Sequence, residues 1–137
     1  MDTPPQPILT LPPISPAAAR PLYEQIVDGV KREISAGRLP PHTLLPSFRA
    51  LAGDLLVSLI TVKRAYAELE AEGIVYRRQG LGTFVSEEGP ARSRAVKHLN
   101  AEALLRQALR EGMEAGLGPR ELLAMARNIL QEEEDAK

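Results

Sequence analysis

Four runs decide how this chain folds: Leu-Pro-Ser-Phe-Arg-Ala-Leu-Ala (45–52), Val-Ser-Leu-Ile-Thr-Val-Lys-Arg-Ala-Tyr (57–66), Leu-Glu-Ala-Glu-Gly (69–73) and Arg-Arg-Gln-Gly-Leu-Gly-Thr-Phe-Val (77–85). Ser47 has the side chain of a helix N-cap and predicts a short helix from Phe48 to about Leu55, with Leu51, Ala52 and Leu55 inward. Ser58 is the next cap. Its helix runs to about Glu72, is stopped by Gly73, and turns Val62, Ala65, Tyr66 and Leu69 inward. Ile74 to Arg78 is β-branched and aromatic, as a strand requires. Gln79-Gly80-Leu81-Gly82 supplies a turn with two residues free to take positive φ, and Thr83-Phe84-Val85 returns. Two short helices at an angle, then a two-stranded hairpin, are expected.

Upstream, residues 1–21 hold seven of the twelve prolines and cannot form a helix, because each Pro removes a donor and restricts its predecessor. Residues 1–20 read as a Pro-rich arm, with Ile8 to Leu11 able to extend. Pro21 suits a first helical turn. Leu22, Ile26, Val30 and Ile34, with Tyr23 and Val27 beside them, predict a helix to about Ala36, with Lys31 and Arg32 off its stripe. Gly29 in its middle costs about 1 kcal/mol against Ala and suggests a close crossing with another helix. Leu44-Leu45 is a brief extended pair. Downstream, residues 87–99 are polar around Gly89-Pro90 and read as a linker. Asn100 then caps a helix over 101–115, and Pro119 opens another. The expected architecture is mainly α with a small β-wing: a winged helix-turn-helix over 21–86, followed by a C-terminal two-helix hairpin over 100–137.

Composition narrows the function classes. Of 137 residues, 44% are hydrophobic, 26% charged and only 4% aromatic, so the core is expected to be aliphatic in a soluble globular protein. Cysteine is absent, which excludes disulfides, Cys-ligated zinc and a thiol nucleophile and suits a reducing cytoplasm. Neither a signal-peptide pattern nor a long apolar run stands out, so no membrane association is expected. The net charge of −1 is modest for a nucleic-acid binder, but its distribution is uneven. Residues 20–85 carry nine Lys/Arg against seven Asp/Glu, whereas residues 86–137 carry eight against ten. Local clustering, not bulk charge, would have to make a phosphate-binding face.

Pro21-Leu22-Tyr23-Glu24-Gln25-Ile26, then Leu45-Pro46-Ser47-x-Arg49-x-Leu51-Ala52, resembles the winged-helix domain of GntR-type bacterial repressors. So do Val57-Ser58-x-x-Thr61-Val62, Ala65-x-x-x-Leu69-x-x-x-Gly73 and Gly80-x-Gly82-Thr83-Phe84-Val85. The resemblance covers roughly residues 8–86, and the short helical end is similar to the YtrA-like subgroup. It implies a transcriptional regulator that pairs through a small helical region, without a large effector domain. Two departures stand out. His42 and Leu56 occupy positions where the family usually has Gly, and Leu59 stands where it usually has an arginine that contacts DNA. The operator would then present a thymine methyl to Leu59 or Ile60, or binding would lean more on the wing.

Specific DNA binding needs phosphate anchors and base-edge contacts. The second helix offers the hydroxyls of Ser58 and Thr61, its amides and its dipole, with Leu59 and Ile60 at the tip and Lys63 and Arg64 one turn on. Ser47 and Arg49 lie on the helix before it, where Arg49 is suited to a bidentate guanine or phosphate contact. The wing adds Arg77, Arg78, Gln79, Gly80, Gly82 and Thr83, and a Gly-tipped wing can approach a narrow minor groove. Each has a plainer reading: Ser47 and Ser58 as caps, Arg64 as an i,i+4 partner of Glu68, Leu59 and Ile60 as core edge. His42 and His98 read as loop and linker residues rather than metal ligands, and no metal site, cofactor or catalytic set is implied.

Leu104, Leu105, Ala108, Leu109 and Met113 on one C-terminal helix, and Leu122, Leu123, Ala126, Ile129 and Leu130 on the other, form apolar faces expected to pair two copies. Two helices of about 15 residues cannot bury such faces on one another alone. The reading is a sequence-specific transcriptional regulator, a repressor, bound as a homodimer to a palindromic double-stranded operator, with room for an unknown small-molecule effector and no enzymatic role. The alternative is a winged-helix interaction module without DNA binding. An enzyme fragment is the least supported: some GntR-type chains continue into an aminotransferase-like domain, for which 137 residues leave no room.

Overall fold

A computed structural model describes residues 9, 11, 15 and 20–137 of the chain. The arm expected over 1–20 therefore lies mostly outside the described residues. The chain divides into two compact units, the first reaching Lys97 and the second spanning His98–Lys137.

In the first unit, α1 (Leu22–Ser35) follows Pro21 and buries Ile26, Val27, Val30 and Ile34, the stripe expected from its spacing. Lys31 departs from expectation. It is 3% exposed, and its Nζ lies 2.8 Å from Glu72 Oε2 at the end of the third helix. A long aliphatic stem lets a lysine enter a core edge when a carboxylate meets its head, which a stripe count does not anticipate. Gly29 is buried as a close approach implies, but the neighbour is not a helix. A Cβ there would stand 2.7 Å from Leu11 Cδ2, so it is Leu11 that packs against α1 at this point.

The two short helices, α2 (Phe48–Leu55) and α3 (Leu59–Ala71), match the expected positions closely. Ser47 Oγ accepts from the Ala50 amide at 3.1 Å, and Ser58 Oγ accepts from the Thr61 amide at the same distance. Leu56 ends α2 with φ 56° and ψ 45°, a left-handed cap made by a β-carbon-bearing residue. Val62, Ala65, Tyr66 and Leu69 are all buried, so α3 rests on α1 and α2 through the face its periodicity gave it. The Tyr66 hydroxyl donates to the Pro46 carbonyl at 2.8 Å, and burial pushes its phenol well above the ordinary range.

Strands β1 (Val75–Arg78) and β2 (Gly82–Val85) form an antiparallel hairpin with Val75 opposite Val85 and Arg78 opposite Gly82. The other edge of β2 is covered by residues 42–45. Leu44 bridges Phe84, the Leu45 amide donates to the Thr83 carbonyl at 2.8 Å, and the Val85 amide donates to Thr43 at 3.0 Å. The extended Leu44-Leu45 pair thus acts as a third, minimal strand that fixes the wing to the start of α2.

The linker expected over 87–99 is helical instead. α4 (Gly89–Glu114) begins there, so Asn100 sits within a helix and caps nothing. Gly89-Pro90 is a helix start, because proline at the second helical position lacks only a donor that the first turn leaves unbonded anyway. Packing completes the reason. Ser86 Oγ donates to the Gly73 carbonyl at 2.7 Å, Gly89 and Ser93 are buried, and a Cβ on Gly89 would stand 2.8 Å from the Ile74 carbonyl.

The second unit holds the rest of α4 and α5 (Pro119–Asp135), joined at Gly116 with φ 89°. The two helices meet closely where Gly112 faces Leu122. Leu122 and Ala126 are half-buried, as an inward face requires. Leu104, Leu105, Ala108, Leu109, Met113, Leu123, Ile129 and Leu130, also expected inward or on apolar faces, are all exposed in the single chain.

Candidate nucleic-acid interface

The first turn of α3 is presented at the surface by its cap. Ser58 and Thr61 hydroxyls lie 2.7 Å apart and share a hydrogen bond, so each is held beside the free amides of the helix start. A helix N-terminus of this kind favours an anion such as phosphate. Leu59 is half-buried, while Ile60 is 78% exposed. The site is therefore polar at its cap and apolar at its tip.

Cations stand around this tip on three elements. Arg49, in the first turn of α2, is exposed and makes no ion pair among the described residues. Lys63 Nζ lies 5.9 Å from the centroid of the Phe48 ring, and Arg77 Cζ lies 5.1 Å from the same centroid. Phe48 meets Tyr66 edge-on at 5.2 Å. One half-buried ring, itself seated on the core, thus positions a cation of the helix and a cation of the wing. Cation–π contacts of this kind contribute about 0.5–1 kcal/mol at exposed sites, enough to bias a long side chain without immobilising it.

Arg64 does not pair with Glu68. Its Cζ stands 3.9 Å above the Tyr23 ring on α1, with the side chain still exposed. Arg78 lies 6.0 Å from the Tyr76 ring. Phe48, Tyr23 and Leu56 are the residues that sequence reasoning did not assign to the site. Phe48 and Tyr23 carry no signal by spacing, since a cation one or two strands or helices away in sequence has to be brought to them by the fold. Leu56 did carry one, as a residue other than glycine between two capped helices.

The wing divides into contact and support. Gln79 and Gly80 are exposed at the turn, closed by the Leu81 amide on the Arg78 carbonyl at 2.9 Å. Thr83, expected at the interface, turns inward instead: it is 6% exposed and its carbonyl accepts from Leu45. Gly82 is half-buried with φ 127°, and a Cβ there would meet Leu44 Cδ1 at 2.7 Å. Both hold the wing rather than offer a surface. Between the wing and the start of α2 lies a cleft of about 210 Å³, lined by Leu44, Phe48, Arg77, Leu81 and Thr83 among others.

His42 takes φ 68°, where a glycine is easier, and is held there by its own contacts. Its amide donates to the Val85 carbonyl at 2.7 Å, Nδ1 is 2.9 Å from the Tyr76 hydroxyl and Nε2 is 2.7 Å from Glu87 Oε2. It is a loop residue at the wing base, as expected, with a carboxylate partner that the sequence did not place. Among the described residues no group of three His, Asp or Glu side chains could hold a metal, and no helix is long and apolar enough to cross a membrane.

Comparison with known proteins agrees with this geometry. The family described as "Bacterial regulatory proteins, gntR family" matches residues 22–85, the unit that carries the site. The HTH-type transcriptional repressor YtrA of Bacillus subtilis is 42% identical over 74 residues, covering 54% of this chain and 57% of the repressor. The chain spans about 60% or less of the length of the first curated relatives it matches. Among solved structures, a GntR family transcriptional regulator from Listeria monocytogenes superposes with a TM-score of 0.70 at 31% identity, covering 80% of this chain and 96% of that one. AraR(DBD) in complex with operator ORX1 superposes with a TM-score of 0.51 at 29% identity, covering 57% of this chain and 96% of that one. The chain belongs to the GntR family, as a YtrA-like transcriptional regulator with a DNA-binding winged helix.

Proposed function

We propose that the protein is a repressor that binds a palindromic operator as a homodimer in the cytoplasm. The capped, exposed N-terminus of α3, flanked by cations from α2 and the wing, supports this most directly. In this reading Ser58, Thr61 and the α3 amides anchor phosphate, Arg49 makes a bidentate contact, and Ile60 and Leu59 face base edges. Lys63 and Arg64 follow the backbone, and Arg77, Arg78, Gln79 and Gly80 enter the neighbouring minor groove.

Pairing rests on the second unit. Leu104, Leu105, Leu109 and Met113 on α4, with Leu123, Ile129 and Leu130 on α5, are exposed on a single copy, and clustered apolar side chains of this kind mark interaction surfaces. A two-fold partner of the same sequence covers both surfaces at once and gives the two reading heads the symmetry of a palindrome. A small-molecule signal fits best between the paired hairpins. The cleft beneath the wing, about 210 Å³, is smaller than the roughly 300 Å³ at which ligand pockets begin.

A salt titration on DNA from the chain's own upstream region tests the reading. Affinity is expected to fall steeply, with a log–log slope of about −0.9 per phosphate contacted. The exposed apolar tip of α3 suits a second reading, a protein-interaction module. Binding that ignores salt, or none to any DNA, would favour it.

A further inference from the structure

The tip of α3 carries chemistry that the phosphate anchors do not use. Leu56 is 90% exposed and Ile60 is 78% exposed, one on each side of the Ser58 cap. Leu59 between them is half-buried. The first turn of α3, Leu59 to Val62, contains no charged or amide side chain. The next cations are engaged elsewhere: Lys63 lies over Phe48 and Arg64 over Tyr23. Leu56 also holds φ 56°, a conformation that disfavours any side chain, yet its side chain gains no burial within the chain in return.

Most base-edge features of the major groove are donors and acceptors, for which this tip has no partner except the Ser58 and Thr61 hydroxyls, already bonded to each other. The exception is the C5-methyl of thymine, which apolar side chains read by contact. We propose that Leu56 and Ile60 form an apolar reading tip selecting thymine methyl groups in each operator half-site. This rests on α3 being the helix that faces DNA. The tip is continuous with the Ser58–Thr61 cap and the Arg49 and Arg77 cations, so the surface that seats the backbone also seats these two side chains against the bases. Selectivity for thymine then comes from excluding water between two apolar groups, while the unbonded amides at the start of α3 serve phosphate.

The test removes the methyl and nothing else. An operator is first selected from random DNA with the full chain. Each thymine is then replaced singly by deoxyuridine, and affinity is measured by fluorescence anisotropy at fixed salt. At one or two thymines per half-site, binding is expected to weaken about fourfold, the fold-change equivalent to burying one methylene-sized group. In Ile60→Ala or Leu56→Gly the penalty at the corresponding position should vanish. Both side chains are exposed, so these variants keep the fold, which thermal unfolding no lower than the parent's checks. An operator bound equally well with deoxyuridine at every position overturns the reading tip while leaving DNA recognition intact. A penalty that persists undiminished in both variants assigns the methyl to another residue and also overturns it. If selection enriches no sequence at all, DNA recognition by α3 fails, and the reading tip with it.

Discussion

The two units of this chain use apolar residues in opposite ways. In the first, the stripes of α1 and α3 meet, and Ile26, Val30, Ile34, Val62, Leu69 and Ile74 are removed from water altogether. In the second, α4 and α5 approach at Gly112 and Leu122, yet Leu123 remains 66% exposed and Leu130 64%. Periodicity alone does not separate these cases, because both read as amphipathic helices. What separates them is the number of faces available. α1, α2, α3 and the wing enclose a common centre, whereas two helices have one contact line and cannot cover a wide stripe. The first unit is built to fold on its own contacts. In the proposed homodimer, the second gains its burial by association.

That contrast can be broken from either side. Leu69→Ala, in the closed core, should cost about 2–5 kcal/mol in urea unfolding, since a buried leucine is lost and a cavity is left. A cost below about 1 kcal/mol would mean that the core relaxes around the site and is less tightly closed than the buried stripe implies. Leu123→Asp with Leu130→Asp should leave the winged unit's own unfolding nearly unchanged. Sedimentation should then show monomers, and operator affinity should fall by about 100-fold, the advantage lost when two linked sites become one. Retained dimers would place the pairing surface elsewhere.

Smaller effects sharpen the reading head itself. Arg49→Ala should weaken operator binding by about 1–3 kcal/mol without altering the urea midpoint, because the side chain is exposed and makes no ion pair among the described residues. Unchanged affinity removes Arg49 from the interface. Leu56→Gly should stabilise the fold by about 1 kcal/mol through relief of the left-handed conformation, read as a higher melting temperature. A lower melting temperature would show that the leucine is held by packing not evident from its exposure.

Local chemistry made the reading head legible. Ser47 and Ser58 are caps because a hydroxyl at that position can reach an orphan amide, and both do so. Gly80 and Gly82 take the positive φ that the turn demands. What was misread depends on distant partners. Lys31 is buried because Glu72, 41 positions away, meets its amine. Thr83 is buried where residues 42–45, about 40 positions upstream, cover the edge of its strand. Residues 87–99 look like a linker by polarity, but Gly89 fits against Ile74 and Val85, and the helix starts there. The aromatic supports of Arg64 and Arg77 were invisible for the same reason. Tyr23 and Phe48 become partners only after α1 and α2 have packed.

Footprinting on the DNA that the full chain selects tests the central claim most directly, since one pattern reports recognition and pairing together. Two protected half-sites related by two-fold symmetry are expected, with centres about 10 bp apart or a multiple of that turn. A single unpaired protection would contradict the paired hairpins, and an unprotected duplex would contradict DNA recognition by α3 itself.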